Sequence, residues 1–241
     1  MSEIGVHITA GGYGTRLREH MNELGYASSY PKHLLPTGGP QGETFLGRVI
    51  RQTLQIPNAR PPIVYVNEEN RQHIQNHPDV QPAPQLCTQS YGNWLEPMID
   101  SLAATKQRVV GCAGDFYASI NWLDLLGFHD DSKYPVTFVA GLTVPVERGL
   151  VYTVAEDSKV ISFKRSDMTS ANEMINVGIY VFDPEPRALS VLQHAKQAKE
   201  EQIAQALVDE ELLGLYVLPT MPFNVNTKET YQMLLEHTVN L

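Results

Sequence analysis

"AGGYGTRL", residues 10–17, follows directly on "IGVHIT", residues 4–9. The apolar and β-branched residues of the earlier segment read as a strand, which the chain leaves through Gly11, Gly12 and Gly14 before Thr15 and Arg16. Glycines so close together cost conformational entropy in any regular element and supply no side chain to pack. Backbone is therefore what the position needs. One reading is a tight strand-to-helix turn with an incidental arginine. The other is a loop whose N–H groups converge on anionic oxygens, aided by the start of a following helix and by the charge of Arg16. The spacing is neither Gly-x-Gly-x-x-Gly nor a P-loop, so the glycines alone leave both readings open.

The surrounding pattern sets the fold. "PPIVYVN" (61–67), "QRVVGCAGD" (107–115), "PVTFVAGLTV" (135–144), "LVYTVAE" (150–156), "KVISF" (159–163), "INVGIYVF" (175–182) and "LGLYVLP" (213–219) are short, β-rich and bounded by turn formers, so they too read as strands. Helix-compatible stretches lie between the early ones, at 45–54, 68–75 and 96–104. Strand and helix alternating in this way predict a mostly parallel, Rossmann-like mixed α/β sheet with helices on both faces. After about residue 130, strand follows strand before one long helix expected over 186–207, which predicts an antiparallel extension on the same sheet. No repeat or linker composition divides the chain. A single domain is expected over 1–241, with one functional half to about residue 130 and another from about 131.

In such a sheet, ligands sit beyond the carboxyl ends of the strands. Two loops stand out at that edge: "AGGYGTRL", and "CAGDFYAS" (112–119), where Asp115 falls just past a strand end. A lone aspartate there is ordinarily a cap or turn former; opposite a phosphate loop, a magnesium role competes with that reading. The 241 residues carry a net charge of −9 with dispersed basic residues, which argues against a nucleic-acid scaffold. An anionic small molecule would need a local cationic cluster, for which Arg16, Lys32 and the glycine turn are the candidates. No apolar run approaches the roughly 20 residues of a membrane span, and the first residues lack a signal-peptide pattern, so a cytoplasmic protein without membrane partners is expected. Cys87 and Cys112 lack metal or disulfide spacing and read as buried thiols.

Two boxes together carry a resemblance. "AGGYGTRL" followed by "PKHLLP" (31–36) resembles the opening of the sugar-1-phosphate nucleotidyltransferases, the nucleotide-sugar pyrophosphorylases. Fainter echoes run along nearly the whole chain. They are "GNWLEPMIDSLA" (92–103) near the base, "AGD" ending in Asp115, "RGLV" with Gly149 beside the sugar, "NVGIYVF" with Asn176 and Gly178, and the closing "FNVNTKETY" (223–231).

The resemblance implies transfer of a nucleotidyl group from a nucleoside triphosphate to a sugar-1-phosphate or pseudo-sugar phosphate, with Mg²⁺ and release of pyrophosphate. It assigns nucleotide binding to Ala10, Gly11, Gly12, Gly14, Thr15 and Gly92, and catalytic charge to Arg16 and Lys32. Asp115 becomes a metal ligand with Asn224 as a weaker one, and Gly149, Asn176 and Gly178 line the acceptor side. Departures accompany it. Asn224 and Lys228 stand where the family usually has Asp and Pro, and "FKRSD" (163–167) replaces Phe-x-Glu-Lys-Pro, leaving Lys164 or Arg165 for the acceptor phosphate. The insertion "HMNELGYASSY" (20–30) reads as a flexible flap or a homo-oligomer contact, and His33 as a structural substitution. Two alternatives stay open: a catalytically silent nucleotide-binding regulatory homologue, and a transferase acting on a non-sugar phosphate or phosphonate acceptor.

Overall fold

The strand behind the opening glycines is β1 (Gly5–Thr9), and every residue that matters for the site is placed relative to it. The computed structural model describes residues 3–12, 14–38, 42–80, 85–88, 93–142, 149–154, 158–166 and 174–239, with backbone only at 150, 154, 161, 165, 166, 224 and 239. Along the chain follow α1 (Thr15–Arg18), α2 (Phe45–Thr53), β2 (Ile63–Val66), α3 (Glu68–Gln75), β3 (Gln85–Thr88), α4 (Glu96–Thr105), β4 (Val109–Ala113), β5 (Phe116–Tyr117) and α5 (Trp122–Asp131). The later part holds β6 (Val136–Leu142), β7 (Gly149–Val154), β8 (Val160–Ser166), β9 (Met174–Phe182), α6 (Pro186–Ala195), α7 (Glu200–Asp209), β10 (Leu213–Leu218), β11 (Phe223–Asn224) and α8 (Lys228–Val239).

The main path through the sheet runs β10-β6-β9-β4-β1-β2-β3. β1 is parallel to β2 and β4, β2 to β3, and β6 to β10; β9 runs antiparallel to both β4 and β6. The β7–β8 hairpin hangs from β9 through the Val151↔Ile175 pair. This is the expected mixed α/β sheet with its antiparallel extension. Because β1 is followed by β2 and β3 on one side and joined by β4 on the other, the strand order reverses between β1 and β4, where a crevice opens at the carboxyl ends.

Alternation along the strands builds two cores. Ile8, Val64, Val110, Ile179 and Val181 face α2, α3 and α5, whereas Val109, Phe138, Tyr180, Phe182 and Leu215 face α4, α6 and α7. Local signals start the helices: Thr44 Oγ1 accepts from the Gly47 amide (3.1 Å) ahead of α2, and Asn67 Oδ1 from the Asn70 amide (2.7 Å) ahead of α3.

Several expectations need correction. The helix expected over 186–207 is two helices, broken at residues 196–199, because the turn between them is tied to another part of the chain. The insertion at 20–30 folds onto its own chain rather than forming a flap. Met21 is buried with Leu17, Phe45, Phe223 and Tyr231, and Glu23 pairs with Lys228. The helix after the glycine turn is one turn long and has no appreciable dipole, so its contribution to an anion site is limited to its N–H groups. Cys112 is buried, which pushes its thiol pKa up, but Cys87 on the edge strand β3 is only half-buried. The helices α5 and α8 and the short strands β3, β5 and β11 carried no reading in the sequence. Among the described residues, no helix is long and apolar enough to cross a membrane.

His7, on the β1 face opposite Val6 and Ile8, is buried, stacks on Tyr65 and shares a 2.9 Å hydrogen bond with its hydroxyl. Burial lowers its pKa from 6.5 to about 4. Between those values the unfolded chain takes up a proton that the folded chain refuses, so this contribution is complete above about pH 6.5 and is lost as pH falls toward about 4. Urea unfolding should show His7 contributing about 2 kcal/mol less stability at pH 5 than at pH 7. His7→Gln should make the pH slope shallower by about that amount, and an unchanged slope would refute the assignment.

Candidate active site

The loops after β1 and β4 face each other across the crevice. Gly114 N–H donates to Thr9 O (2.8 Å), and a Cβ on Gly114 would come within 3.1 Å of that oxygen, so the two loops lie backbone to backbone. Ala10 is buried and donates to Tyr65 O (2.7 Å), while Asn67 Nδ2 donates to Gly11 O (3.0 Å). The β1 loop is thus anchored at its start, and among the described residues an added Cβ on Gly12 would meet no atom within 4 Å. Gly14 adopts φ +58° as the residue preceding α1, and its Cβ would lie 3.0 Å from Lys32 Cδ. Glycine is therefore required there both for the left-handed backbone and to let Lys32 pass. Thr15 and Arg16 are exposed on the first turn of α1.

Lys32 opens a 3₁₀ turn, Lys32–Leu34, that brings its ammonium under the glycine loop. There Lys32 Nζ pairs with Asp115 and donates to Asn226 Oδ1 (2.9 Å). The two charged side chains retain only 10% and 16% of their exposure. Burial alone would raise the Asp115 pKa, but chiefly the charge of Lys32, with hydrogen bonds from Lys32 and the backbone, holds it below the usual carboxylate value. His33 is buried beside the pair; burial, with a smaller push from Lys32, lowers its pKa to about 4 against the opposing pull of Asp115. It is a neutral packing residue, not a base.

The closing segment reaches the same place. β11 pairs antiparallel with β5, setting Asn224 opposite Phe116, the residue after Asp115. The Asn224 side chain lies outside the described residues, as does Gly92. The amide that meets Lys32 belongs instead to Asn226, two residues on, which the sequence reading passed over. Its signal was available in the "NVNT" of the closing box.

Where the resemblance expects the acceptor, Gly178 adopts φ +78° at an irregularity in the β6–β9 pairing, and its Cβ would lie 2.8 Å from that of Ala113. Gly178 thereby lets β9 press against the end of β4, and Asn176 lies at the same sheet edge as Asp115. Gly149 and Lys164 sit on the β7–β8 hairpin. Lys164 is exposed, and the Arg165 side chain lies outside the described residues. Tyr180 is fully buried among Trp94, Phe138 and Phe182, a core position rather than a stacking platform.

Among the described residues, no three His, Cys, Asp or Glu side chains gather as a metal cage. A single carboxylate already paired with an ammonium is a poor resident cation site. It does suit Mg²⁺ arriving on phosphate oxygens, because Mg²⁺ is commonly held by one or two carboxylates and completed by phosphate and water.

No protein-family profile matches the chain. A curated glucose-1-phosphate adenylyltransferase of Clostridium kluyveri is 26% identical over 111 residues, 41% of this chain and 28% of that protein, so the match spans under a third of its length. A protein assigned as a glucose-1-phosphate thymidylyltransferase from Bacillus anthracis, in complex with a sucrose, superposes with a TM-score of 0.76 at 15% identity, covering 99% of this chain and 96% of that one. HddC from Yersinia pseudotuberculosis superposes with a TM-score of 0.69 at 15% identity, covering 98% and 99%. The chain thus shares the Rossmann-like α/β fold of these two structures. The resemblance to the sugar-1-phosphate nucleotidyltransferase family carried by the opening boxes is borne out.

Lys32→Ala would leave Asp115 in the crevice without its counter-charge, and should destabilise the protein by about 2 kcal/mol or more. Adding Asp115→Ala should return part of that loss. A denaturant double-mutant cycle in which the two effects simply add would show that the pair is not coupled.

Proposed function

We propose that this protein is a sugar-1-phosphate nucleotidyltransferase. The observation that supports the reading best is the meeting of the glycine loop, Lys32 and Asp115 at the β1/β4 reversal, with Asn176 on the adjoining strand. A phosphate oxygen of the acceptor attacks the α-phosphorus of the triphosphate; the bond to the β-phosphate oxygen breaks and pyrophosphate leaves. The nucleophile is already an anion, so no general base is required, in keeping with a neutral His33.

The protein's task is to bring two polyanions into line and neutralise the charge that develops between them. The backbone of Gly11, Gly12, Gly14 and Thr15, with Ala10 as its anchor, would cradle the triphosphate. Arg16 would hold the leaving β- and γ-phosphates. Lys32, a compact charge on a flexible stem, would transfer from Asp115 to the phosphoryl group undergoing reaction. Asp115, with Asn224 as a weaker partner, would hold Mg²⁺ carried in on the triphosphate, where the cation screens the negative charge of the phosphoryl oxygens. Gly149 permits close approach of the acceptor, Asn176 and the Gly178 segment contact its polar groups, and Lys164 or Arg165 meets its phosphate. Gly92 belongs to the nucleotide side.

Pyrophosphate release should be measured with GTP, dTTP, UTP, CTP and ATP over a panel of sugar 1-phosphates, phosphocholine and phosphonates in Mg²⁺. One nucleotide should support release, and Asp115→Ala should abolish it. Arg16→Ala and Lys32→Ala should each lower kcat by about 10²–10³. No release from any pair, with nucleotide still bound, would replace this reading by that of a binding homologue.

A further inference from the structure

The break between α6 and α7 delivers a carboxylate to the acceptor side. Glu200 is the first residue of α7, half-buried, and its Oε1 accepts hydrogen bonds from the Tyr180 hydroxyl (2.5 Å) and from Asn176 Nδ2. Asn176 Nδ2 also lies 2.6 Å from the Tyr180 oxygen, and Asn176 Oδ1 accepts from the Gly178 amide (2.9 Å). The carboxamide is therefore held at both ends. Its oxygen faces the left-handed turn at Gly178 and its nitrogen faces Glu200, which fixes its orientation by partners rather than by rotamer preference alone.

The turn that carries Glu200 is itself tied down. Asn93 Nδ2 donates to Ala198 O, Asn93 Oδ1 accepts from the Leu95 amide (3.0 Å), and the neighbouring Trp94 packs on the Tyr180 ring at 4.7 Å. Residues 93–94 ahead of α4, residues 198–200 from the helix break and Asn176 with Tyr180 from β9 thus form one connected unit. Burial, and then the charge of Glu200, push the phenol pKa values of Tyr180 and the neighbouring Tyr152 well above 10, so both hydroxyls remain donors at neutral pH.

We infer that Glu200 is a positioning residue for the acceptor: through the bond to Asn176 it sets which face of that amide meets the incoming sugar phosphate or its analogue. The inference rests on the nucleotidyltransferase reading for the identity of the acceptor, but the placement of Asn176 by Glu200 can be tested without turnover. Glu200→Gln keeps an oxygen acceptor of the same shape; Glu200→Ala removes it.

In the full-length protein, the Asn176 side-chain amide resonances, assigned by Asn176→Asp, should be well dispersed and slow to exchange with solvent. They should collapse toward solvent values in Glu200→Ala and be largely retained in Glu200→Gln. With glucose 1-phosphate as the probe and the nucleotide that supports release, Glu200→Ala should raise the acceptor KM about tenfold while the nucleotide KM stays within about twofold, and Glu200→Gln should restore most of the loss. Unchanged Asn176 resonances in Glu200→Ala would overturn the inference. So would an equal rise in both KM values, which marks a merely structural role. If the unmodified protein neither turns over glucose 1-phosphate nor shifts the Asn176 resonances on its addition, the reading fails for that acceptor, and the amide spectra of the variants still decide the placement.

Discussion

One ammonium group organises the crevice. Lys32 reaches in from the segment after the insertion, Asp115 from the end of β4, and Asn226 from the closing segment, so three stretches far apart in sequence converge on one charge. A buried carboxylate without a partner would be costly, and so would a buried ammonium; neither stretch can occupy its place without the other. Gly14 serves the same contact, since its left-handed backbone favours glycine and a Cβ there would crowd the lysine stem at 3.0 Å. The two motifs that flank the insertion are thus parts of one contact.

That interaction also sets the electrostatic state of the resting protein. The Lys32 ammonium is already matched by the Asp115 carboxylate, so a chain of net charge −9 keeps this largely enclosed cation as one member of an ion pair. On the proposed reading, an anion arriving with a divalent cation would offer each partner a replacement: phosphate for the lysine, metal for the aspartate. Exchange of counter-charges costs less than stripping either group bare.

Much of this was legible in the residues. The alternation of apolar segments was sufficient for the mixed sheet, and the glycine turn and Asp115 could be placed at its edge, because strand periodicity and loop composition are local properties; Lys32 was named as a candidate for a cationic cluster and by the resemblance of its box. Features that depend on distant contacts were not legible. Residues 196–199, Lys-Gln-Ala-Lys, are all good helix formers by propensity; the break is marked by the Gln202 side chain capping the Lys199 amide and by the hydrogen bond from Asn93 to Ala198 O, which composition does not announce. The two-residue strands β5 and β11 exist only because each finds the other. Asn224 drew notice by its place in a motif, whereas Asn226 is the amide that reaches Lys32, a distinction that spacing does not make.

The closing helix α8 carries a consequence for how the molecule is completed. Tyr231 and Leu234 share a core with Leu17, Met21, Leu35 and Phe45, the Tyr231 hydroxyl donates to Pro36 O (2.9 Å), and Lys228 grips Glu23. The loops that follow β1 are therefore finished by α8. During synthesis, every strand of the main sheet has left the ribosome before the residues that enclose the Lys32 turn do. The scaffold can form early, while the crevice stays unassembled until α8 has followed β10 out and folds back on the loops after β1.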